Sequence, residues 1–216
     1  MTERPSEAGT TWPSSPDLVV LHAVRLGGFA DTPAVADRTD LGINAVEASL
    51  LDLAHQGLIE RMSFGGDGGW ILSEEGQERL TALLAEERQA SNAHAALAST
   101  ADRFEELNTR LVRVLTAWQL HSPAERAKHR DSVLGELADL ADALDHLLTD
   151  LAAHLPRFAR YPRQFTAAMR AARAGEDRWV AGVGLLSCHT VWAELHQDLL
   201  SSLGRARTAE PGPSGR

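Results

Sequence analysis

Three aromatic side chains able to form hydrogen bonds lie close together near the end of the chain, in the stretch SCHTVWAELHQDLL. In a helix, His189, Trp192 and His196 share one face, because residues three, four or seven apart lie on the same side. Such rings on an otherwise apolar face predict a pocket for a small organic effector, and we expect Trp118 and His121 to line it from another helix. The alternative is that the rings belong to the core and bond to backbone carbonyl groups.

The same helical projection makes Glu194 and Asp198 point away from this face. A metal site would need a third ligand from elsewhere, because His189 and His196 are two turns apart rather than four residues apart. Cys188 has no base on its own turn except His189, which projects about 100° away around the helix. The HEXXH, Walker, GxGxxG and GxSxG motifs are absent. We therefore predict no metal, no cofactor and no enzyme; the alternative is a cofactor-free enzyme with its site in the C-terminal helices.

Positive charge is concentrated between residues 154 and 179, which hold six arginines and two acids. Arg157 and Arg160 stand beside Phe158 and Tyr161, and arginines with aromatic rings can clamp a carboxylate or phosphate. We therefore add both arginines to the predicted ligand pocket. The commoner alternative is that they form salt bridges with the acidic face of the helix predicted over Leu137–Leu155.

Long helices must position these residues. Apolar side chains recur at steps of three and four from Phe104 to Trp118 and from Leu137 to Leu155, which predicts two helices of a bundle. Ser122 and Pro123 suit the N-cap and the first position of the second of these helices. Two further helices are predicted, a short one over Arg163–Ala174 and the last one from about Leu185 to Leu203.

The first ninety residues have a different pattern. Residues 31–72, DTPAVADRTDLGINAVEASLLDLAHQGLIERMSFGGDGGWIL, predict a helix, a turn, a second helix and a two-stranded wing. Thr32 and Asn44 are the expected N-caps of the two helices, and Gly57 follows the second helix where a left-handed residue is needed. The strands are expected at Leu58–Phe64 and Trp70–Leu72.

These patterns divide the chain into a winged helix-turn-helix domain at 16–86 and a helical domain at 87–204, between disordered tails at 1–15 and 205–216. The helix that starts at Ser73 is expected to continue past Ala90, because the residues that follow include no Pro or Gly. The predicted fold class is therefore mostly α, with an N-terminal winged helix-turn-helix, a two-stranded wing and a C-terminal helical bundle.

The run ADRTDLGINAVEASLLDLAHQGLIER, together with the later run GWILSEEGQERL, resembles the winged helix-turn-helix of bacterial MarR-like transcriptional regulators. The resemblance covers roughly the first ninety residues. It implies a regulator that binds double-stranded operator DNA as a homodimer, with C-terminal helices that dimerise and sense a small effector. The same module also serves in some proteins as a dimerisation or protein-binding unit.

In a winged helix-turn-helix the second helix of the motif enters the major groove, and the wing approaches the phosphates. The residues expected to contact DNA are Arg38, Asn44, Ala45, Glu47, Ala48, Ser49, Arg61 and Ser63. The second helix carries Glu47 and Asp52 but neither Arg nor Lys, and residues 16–86 hold four arginines against twelve acids. Because DNA affinity rests on phosphate neutralisation, the alternative is a winged-helix module that binds protein or dimerises and does not bind DNA.

Composition and charge limit the other classes. The net charge of −9 does not attract nucleic acid or anionic membrane over long range, so a local basic patch would be required. No apolar run reaches the ~18 residues of a membrane helix, the N-terminus has no signal pattern, and the single cysteine cannot form an internal disulfide. We therefore expect a cytoplasmic protein with no membrane partner. The apolar stripes of 104–118 and 133–155 exceed the need of one short bundle, which favours a homodimer.

Overall fold

The computed structural model describes residues 14–65 and 67–205. These residues form a mostly helical fold with a two-stranded antiparallel sheet, as the sequence predicts. The N-terminal elements are α1 (Pro16–Gly27), α2 (Thr32–Ala36), α3 (Ile43–His55), β1 (Ile59–Phe64), β2 (Asp67–Leu72) and α4 (Glu74–Ala90). The C-terminal elements are α5 (His94–Leu120), α6 (Pro123–His154), a 3₁₀ turn (Pro156–Ala159), α7 (Arg160–Arg173), α8 (Arg178–Ala181) and α9 (Cys188–Ser202).

The two predicted tails fall outside the described residues, apart from residues 14, 15 and 205. Within the described ranges, no helix combines the length and the apolar character needed to cross a membrane.

The predicted N-caps of α2 and α3 are wrong. Asp31, not Thr32, caps α2, and its carboxylate accepts a hydrogen bond from a backbone N–H of the first turn at 2.8 Å. The Thr32 hydroxyl instead accepts a hydrogen bond from the indole N–H of Trp70 at 3.3 Å. Gly42 precedes α3 in an extended conformation, so Asn44 lies within the first turn and its side chain is exposed. Thr32 is not the cap because its hydroxyl bonds to Trp70, and Asn44 is not the cap because α3 already begins at Ile43.

The wing is joined to the helices through β2. A bridge between Ala30 and Trp70 places the α1–α2 connection beside the strand, and Trp70 is buried in the core of the winged helix. Gly57 after α3 has a φ of 75°, which confirms the predicted left-handed residue. A Cβ atom at Gly69 would come within 2.7 Å of the Phe29 ring, so a larger residue there would have to displace this half-exposed ring.

The helix after Ser73 does not continue past Ala90. Ser73 caps α4 as predicted and accepts a hydrogen bond from the N–H of Gly76 at 3.0 Å. The helix then ends at Ala90, and α5 begins only at His94 because Asn92 adopts a left-handed φ of 51°. Asparagine reaches this conformation more easily than most residues, so a helix can end without Gly or Pro.

Helices α5, α6, α7 and α9 surround one hydrophobic core, and α1, α3, α4 and the wing surround a second. The α6 leucines are almost completely buried in the first core: Leu137, Leu140, Leu144, Leu147 and Leu151. α6 also begins as predicted, with a capping box in which the Glu125 carboxylate accepts a hydrogen bond from the N–H of Ser122 at 2.8 Å. Because the α6 leucines are buried within one chain, they no longer support the predicted homodimer. The homodimer stays a prediction.

Two C-terminal helices begin at positions other than those predicted. α7 starts at Arg160 rather than Arg163, and Pro162 lies in its first turn, where a missing N–H leaves no helix bond unmade. α9 starts at Cys188, three residues later than predicted. The Ser187 hydroxyl caps it by accepting a hydrogen bond from a backbone N–H of the first turn at 3.3 Å.

Candidate interaction sites

A group of buried charged side chains joins the winged helix to the bundle. At its centre is Asp198 of α9, which is fully buried. Arg157 donates to Asp198 Oδ1 at 2.6 Å and, through Nε and Nη2, to Glu87 Oε2 of α4 at 3.0 and 2.9 Å. Tyr161 Oη donates to Asp198 Oδ2 at 2.6 Å, and the Ser202 hydroxyl donates to Oδ1 at 3.0 Å. Both carboxylate oxygens therefore have partners.

His22 of α1 and Arg160 of α7 complete the group. His22 Nε2 lies 3.0 Å from Asp198 Oδ1, without the alignment that a hydrogen bond requires. Arg160 Nη2 lies 3.4 Å from Asp198 Oδ2, and its Nη1 donates to the backbone carbonyl of Arg38 at 2.7 Å. The name ionic cluster is used below for His22, Glu87, Arg157, Arg160, Tyr161 and Asp198. It connects α1, α4 and the segment after α2 to the 3₁₀ turn, α7 and α9.

Burial and charge set the protonation of the ionic cluster. Burial alone would raise the pKa of Asp198, but the guanidinium groups of Arg157 and Arg160 hold it well below its ordinary value. Burial lowers the pKa of His22, and Asp198 offsets only part of that decrease. Burial also raises the pKa of Tyr161 well above its ordinary value. At neutral pH the cluster therefore holds an ionised Asp198 beside a neutral His22 and a neutral Tyr161.

Arg157 and Arg160 belong to the ionic cluster and not to a ligand pocket. Their side chains are only 4% and 3% exposed, and their acidic partners lie on α4 and α9 rather than on α6. The predicted salt bridges therefore exist, but with different carboxylates. The acids of α6 face solvent, whereas Asp198 is buried on the side of α9 that faces the winged helix.

Arg38 is held inside the protein rather than at a DNA-facing surface. Its Nε and Nη2 donate to Glu194 Oε1 of α9 at 3.0 and 2.7 Å, and its Nη1 donates to the carbonyl of Ala34 at 2.7 Å. The Arg38 side chain is 11% exposed. The expected phosphate contact is therefore corrected, because Arg38 could reach DNA only by leaving Glu194 buried without its partner.

The other residues predicted to contact DNA lie on α3 and β1. Most of their side chains are exposed, namely Asn44, Ala45, Glu47, Ala48, Arg61 and Ser63, whereas Ser49 is half-buried. Ile43 and Leu51 of α3 are also 50% and 57% exposed. The name α3 face is used below for Ile43, Asn44, Glu47, Ala48, Leu51 and Asp52. Arg61 lies outside it on β1, with its guanidinium carbon 5.4 Å from the centre of the Trp70 ring.

A groove between α5 and α9 brings together three of the rings predicted to bind a ligand. Its volume is about 530 Å³, and His189, Trp192 and His196 all line it. The Trp192 side chain is buried, and its Nε1 donates to Asn108 Oδ1 of α5 at 3.1 Å. His196 Nε2 lies 3.1 Å from Glu105 Oε1, whereas His189 is exposed near the start of α9.

Trp118 and His121, also predicted to line this pocket, lie elsewhere. Trp118 lies beside the α8 segment, and the guanidinium carbon of Arg126 lies 5.8 Å from the centre of its ring. His121 follows the end of α5 and stacks on His129 of α6, with ring centres 5.1 Å apart. With Arg157 and Arg160 in the ionic cluster, the residues of the single pocket predicted from the sequence therefore lie in four separate places.

Neither metal chemistry nor thiol chemistry has an evident centre in the described part of the chain. Residues 14–65 and 67–205 contain no group of three or more His, Cys, Asp or Glu side chains arranged to hold a metal ion. Cys188 is buried, and burial raises the pKa of its thiol to about 12. A thiol that stays protonated at neutral pH is a poor nucleophile.

Comparison of the chain with models of protein families, with curated proteins and with solved structures finds no match. The resemblance to MarR-like regulators stays a prediction, with which the order of α1–α4 and the wing is compatible. The ionic cluster was not predicted from the sequence. One signal was present, because the segment between residues 154 and 179 holds six arginines and only two acids, so any of its arginines that is buried needs a countercharge from elsewhere in the chain.

Proposed function

We propose that this protein is a non-catalytic interaction protein whose winged helix binds a partner protein through the α3 face. The observation that carries the proposal is the composition of this face, where exposed Ile43 and Leu51 stand beside Glu47 and Asp52, with neither Arg nor Lys on α3. Exposed apolar patches bordered by polar residues mark protein-binding surfaces. Carboxylates in the same place repel the phosphates that dominate DNA affinity.

The spacing along α3 supports one continuous contact surface. Ile43, Glu47 and Leu51 follow at steps of four, and Ala48 and Asp52 form the neighbouring row, so both rows lie on one side of the helix. The opposite side, with Val46, Leu50 and Leu53, is completely buried in the core of the winged helix. Charge complementarity therefore selects a partner with an apolar patch flanked by Lys or Arg side chains.

The positive charges near α3 are already engaged by acids of the same chain. Arg38 is the one arginine between residues 31 and 55, and it is paired with buried Glu194. Arg163 of α7 lies beside the α2–α3 turn, but its guanidinium pairs with Asp40. These pairs keep the surface around α3 acidic and add to the support for a protein partner.

The second candidate is the DNA-binding regulator that the sequence predicts. Asn44 and Ala45 are exposed at the N-terminal end of α3, and Arg61 is exposed on the wing, which is where a winged helix contacts bases and phosphates. In that case a homodimer would have to supply the missing phosphate contacts by presenting two copies of Arg61. An effector would then act on the spacing of the two α3 helices.

A crosslinking experiment separates the two candidates. The photoreactive residue p-benzoylphenylalanine replaces Leu51 in the full chain, which is then expressed and irradiated in its native host. We expect a covalent adduct with a protein of discrete mass, because Leu51 is exposed at the middle of the α3 face. Introducing Glu47→Lys and Asp52→Lys in the same chain should abolish this adduct, since it reverses the charge that selects the partner.

Leu120 provides a matched control, because it is an apolar residue that is 80% exposed at the far end of α5. The photoreactive residue at Leu120 should not give the adduct obtained at Leu51. Crosslinking of Leu51 to DNA, or the same protein adduct from both positions, would contradict the proposal and favour the second candidate or a nonspecific surface.

A further inference from the structure

The groove between α5 and α9 has the size and lining of a small-molecule site. Its volume of about 530 Å³ falls within the range of ligand pockets, roughly 300–1,000 Å³. Its apolar lining comes from both helices: Leu111, Val112, Leu115, Ala193 and Leu200. Val112 is 54% exposed, so an apolar side chain at the groove is open to solvent when no ligand is bound.

Polar side chains of α5 and α9 that line the groove contact one another. Trp192 donates to Asn108, Asn108 Nδ2 donates to Glu105 Oε2 at 3.4 Å, and Glu105 Oε1 lies 3.1 Å from the His196 ring. The rings of Phe104 and Phe165 also pack on Trp192, with centres 4.9 and 5.6 Å away. Glu105, the single acid that lines the groove, therefore has Asn108 and His196 as neighbours on its two carboxylate oxygens.

Two basic side chains line the groove, one near each end of α9. Arg205 lines the groove beyond the C-terminal end of α9, and His189 lines it near the N-terminal end, about 22 Å away along a helix of this length. Neither side chain forms an ion pair with a described residue. A guanidinium near an apolar surface favours a carboxylate or another oxyanion joined to an apolar body.

We propose that the α5–α9 groove binds an amphipathic organic anion, with its charged head at Arg205 and its apolar body along Val112 and Leu200. The site is independent of the partner-binding role proposed for α3. Helix α9 connects the groove to the winged helix, because the opposite side of α9 carries Glu194, which pairs with Arg38, and Asp198 of the ionic cluster. A ligand that shifts α9 therefore acts on the Arg38 ion pair and on the ionic cluster.

The test uses decanoate, below its micelle concentration, as the probe for the full chain labelled with 5-fluorotryptophan. The fluorine resonance of Trp192 is assigned by its loss in Trp192→Phe. We expect decanoate to shift this resonance saturably, whereas decylammonium, which has the same chain and the opposite charge, should not shift it. Arg205→Ala should raise the dissociation constant for decanoate by about tenfold, as expected for loss of a charged hydrogen-bonding partner.

Two variants provide controls for this titration. Arg178→Ala removes an exposed arginine that does not line the groove and should leave the decanoate affinity unchanged. Val112→Asp changes an exposed residue at the groove, so the chain should remain folded by circular dichroism and lose decanoate binding. The proposal is overturned if decanoate gives no saturable shift, if decylammonium binds equally well, or if Arg205→Ala binds decanoate as the parent protein does.

Discussion

Replacing Asp198 by Asn tests whether the ionic cluster holds the winged helix and the bundle together. Five side chains lie within 3.4 Å of its carboxylate: Arg157, Tyr161, Ser202, Arg160 and His22. An amide offers one acceptor oxygen and a donor NH₂, so the donors that faced the second oxygen lose their acceptor. Arg157 and Arg160 would stay buried with less countercharge, and removing one partner of a buried ion pair costs about 3–5 kcal/mol.

Urea unfolding followed by circular dichroism at neutral pH measures this loss. We expect the free energy of unfolding to fall by about 3–5 kcal/mol with an unchanged m-value, out of a total that is typically ~5–15 kcal/mol. Asp139→Asn, at an exposed position on α6, serves as the control and should change it by less than about 0.5 kcal/mol. A loss below about 1 kcal/mol for Asp198→Asn would refute the reasoning, because a buried charge left without its partner costs more than that.

The pKa of His22 is lowered in the folded chain, so on acidification the unfolded chain takes up the His22 proton first. The free energy of unfolding should therefore fall as the pH drops below about 6.5, and His22→Gln should reduce this fall in urea titrations. An unchanged pH dependence of stability in His22→Gln would contradict this. Arg38→Ala leaves Glu194 buried without its partner and should lower the free energy of unfolding by about 1–3 kcal/mol. The control Arg61→Ala should change it by less than about 0.5 kcal/mol. Equal losses in the two variants would argue against a stabilising Arg38–Glu194 ion pair. The predicted homodimer should give twice the chain mass in light scattering at micromolar concentration, and a monomer would disprove it.

Local signals made the elements of the fold predictable. Gly57 marked the end of α3, Ser73 the start of α4, and Ser122 with Pro123 the start of α6, because each signal acts through bonds to neighbours in the chain. The end of α4 was not predictable in the same way. The turn there uses Asn92 in a left-handed conformation, which the residue tolerates but does not require.

The sites were only partly predictable, because they depend on which helices meet. Helical spacing correctly placed Trp192 and His196 on one side of α9, since that relation lies within a single helix. It could not show that Trp118 would face α8. Nor could it show that Asp198 would be the acid that meets Arg157, because that pair joins segments 41 residues apart through tertiary packing.

The central claim, that the α3 face binds protein rather than DNA, is tested most directly by fluorescence anisotropy with a labelled duplex of random sequence at low ionic strength. The parent protein should not bind, because Glu47 and Asp52 place negative charge on the helix that would enter the DNA groove and Arg38 is engaged by Glu194. The variant Glu47→Lys/Asp52→Lys should bind, with an affinity that falls as salt is added, as counterion release requires. Salt-dependent binding by the parent protein itself would contradict the account and restore DNA as the partner of the winged helix.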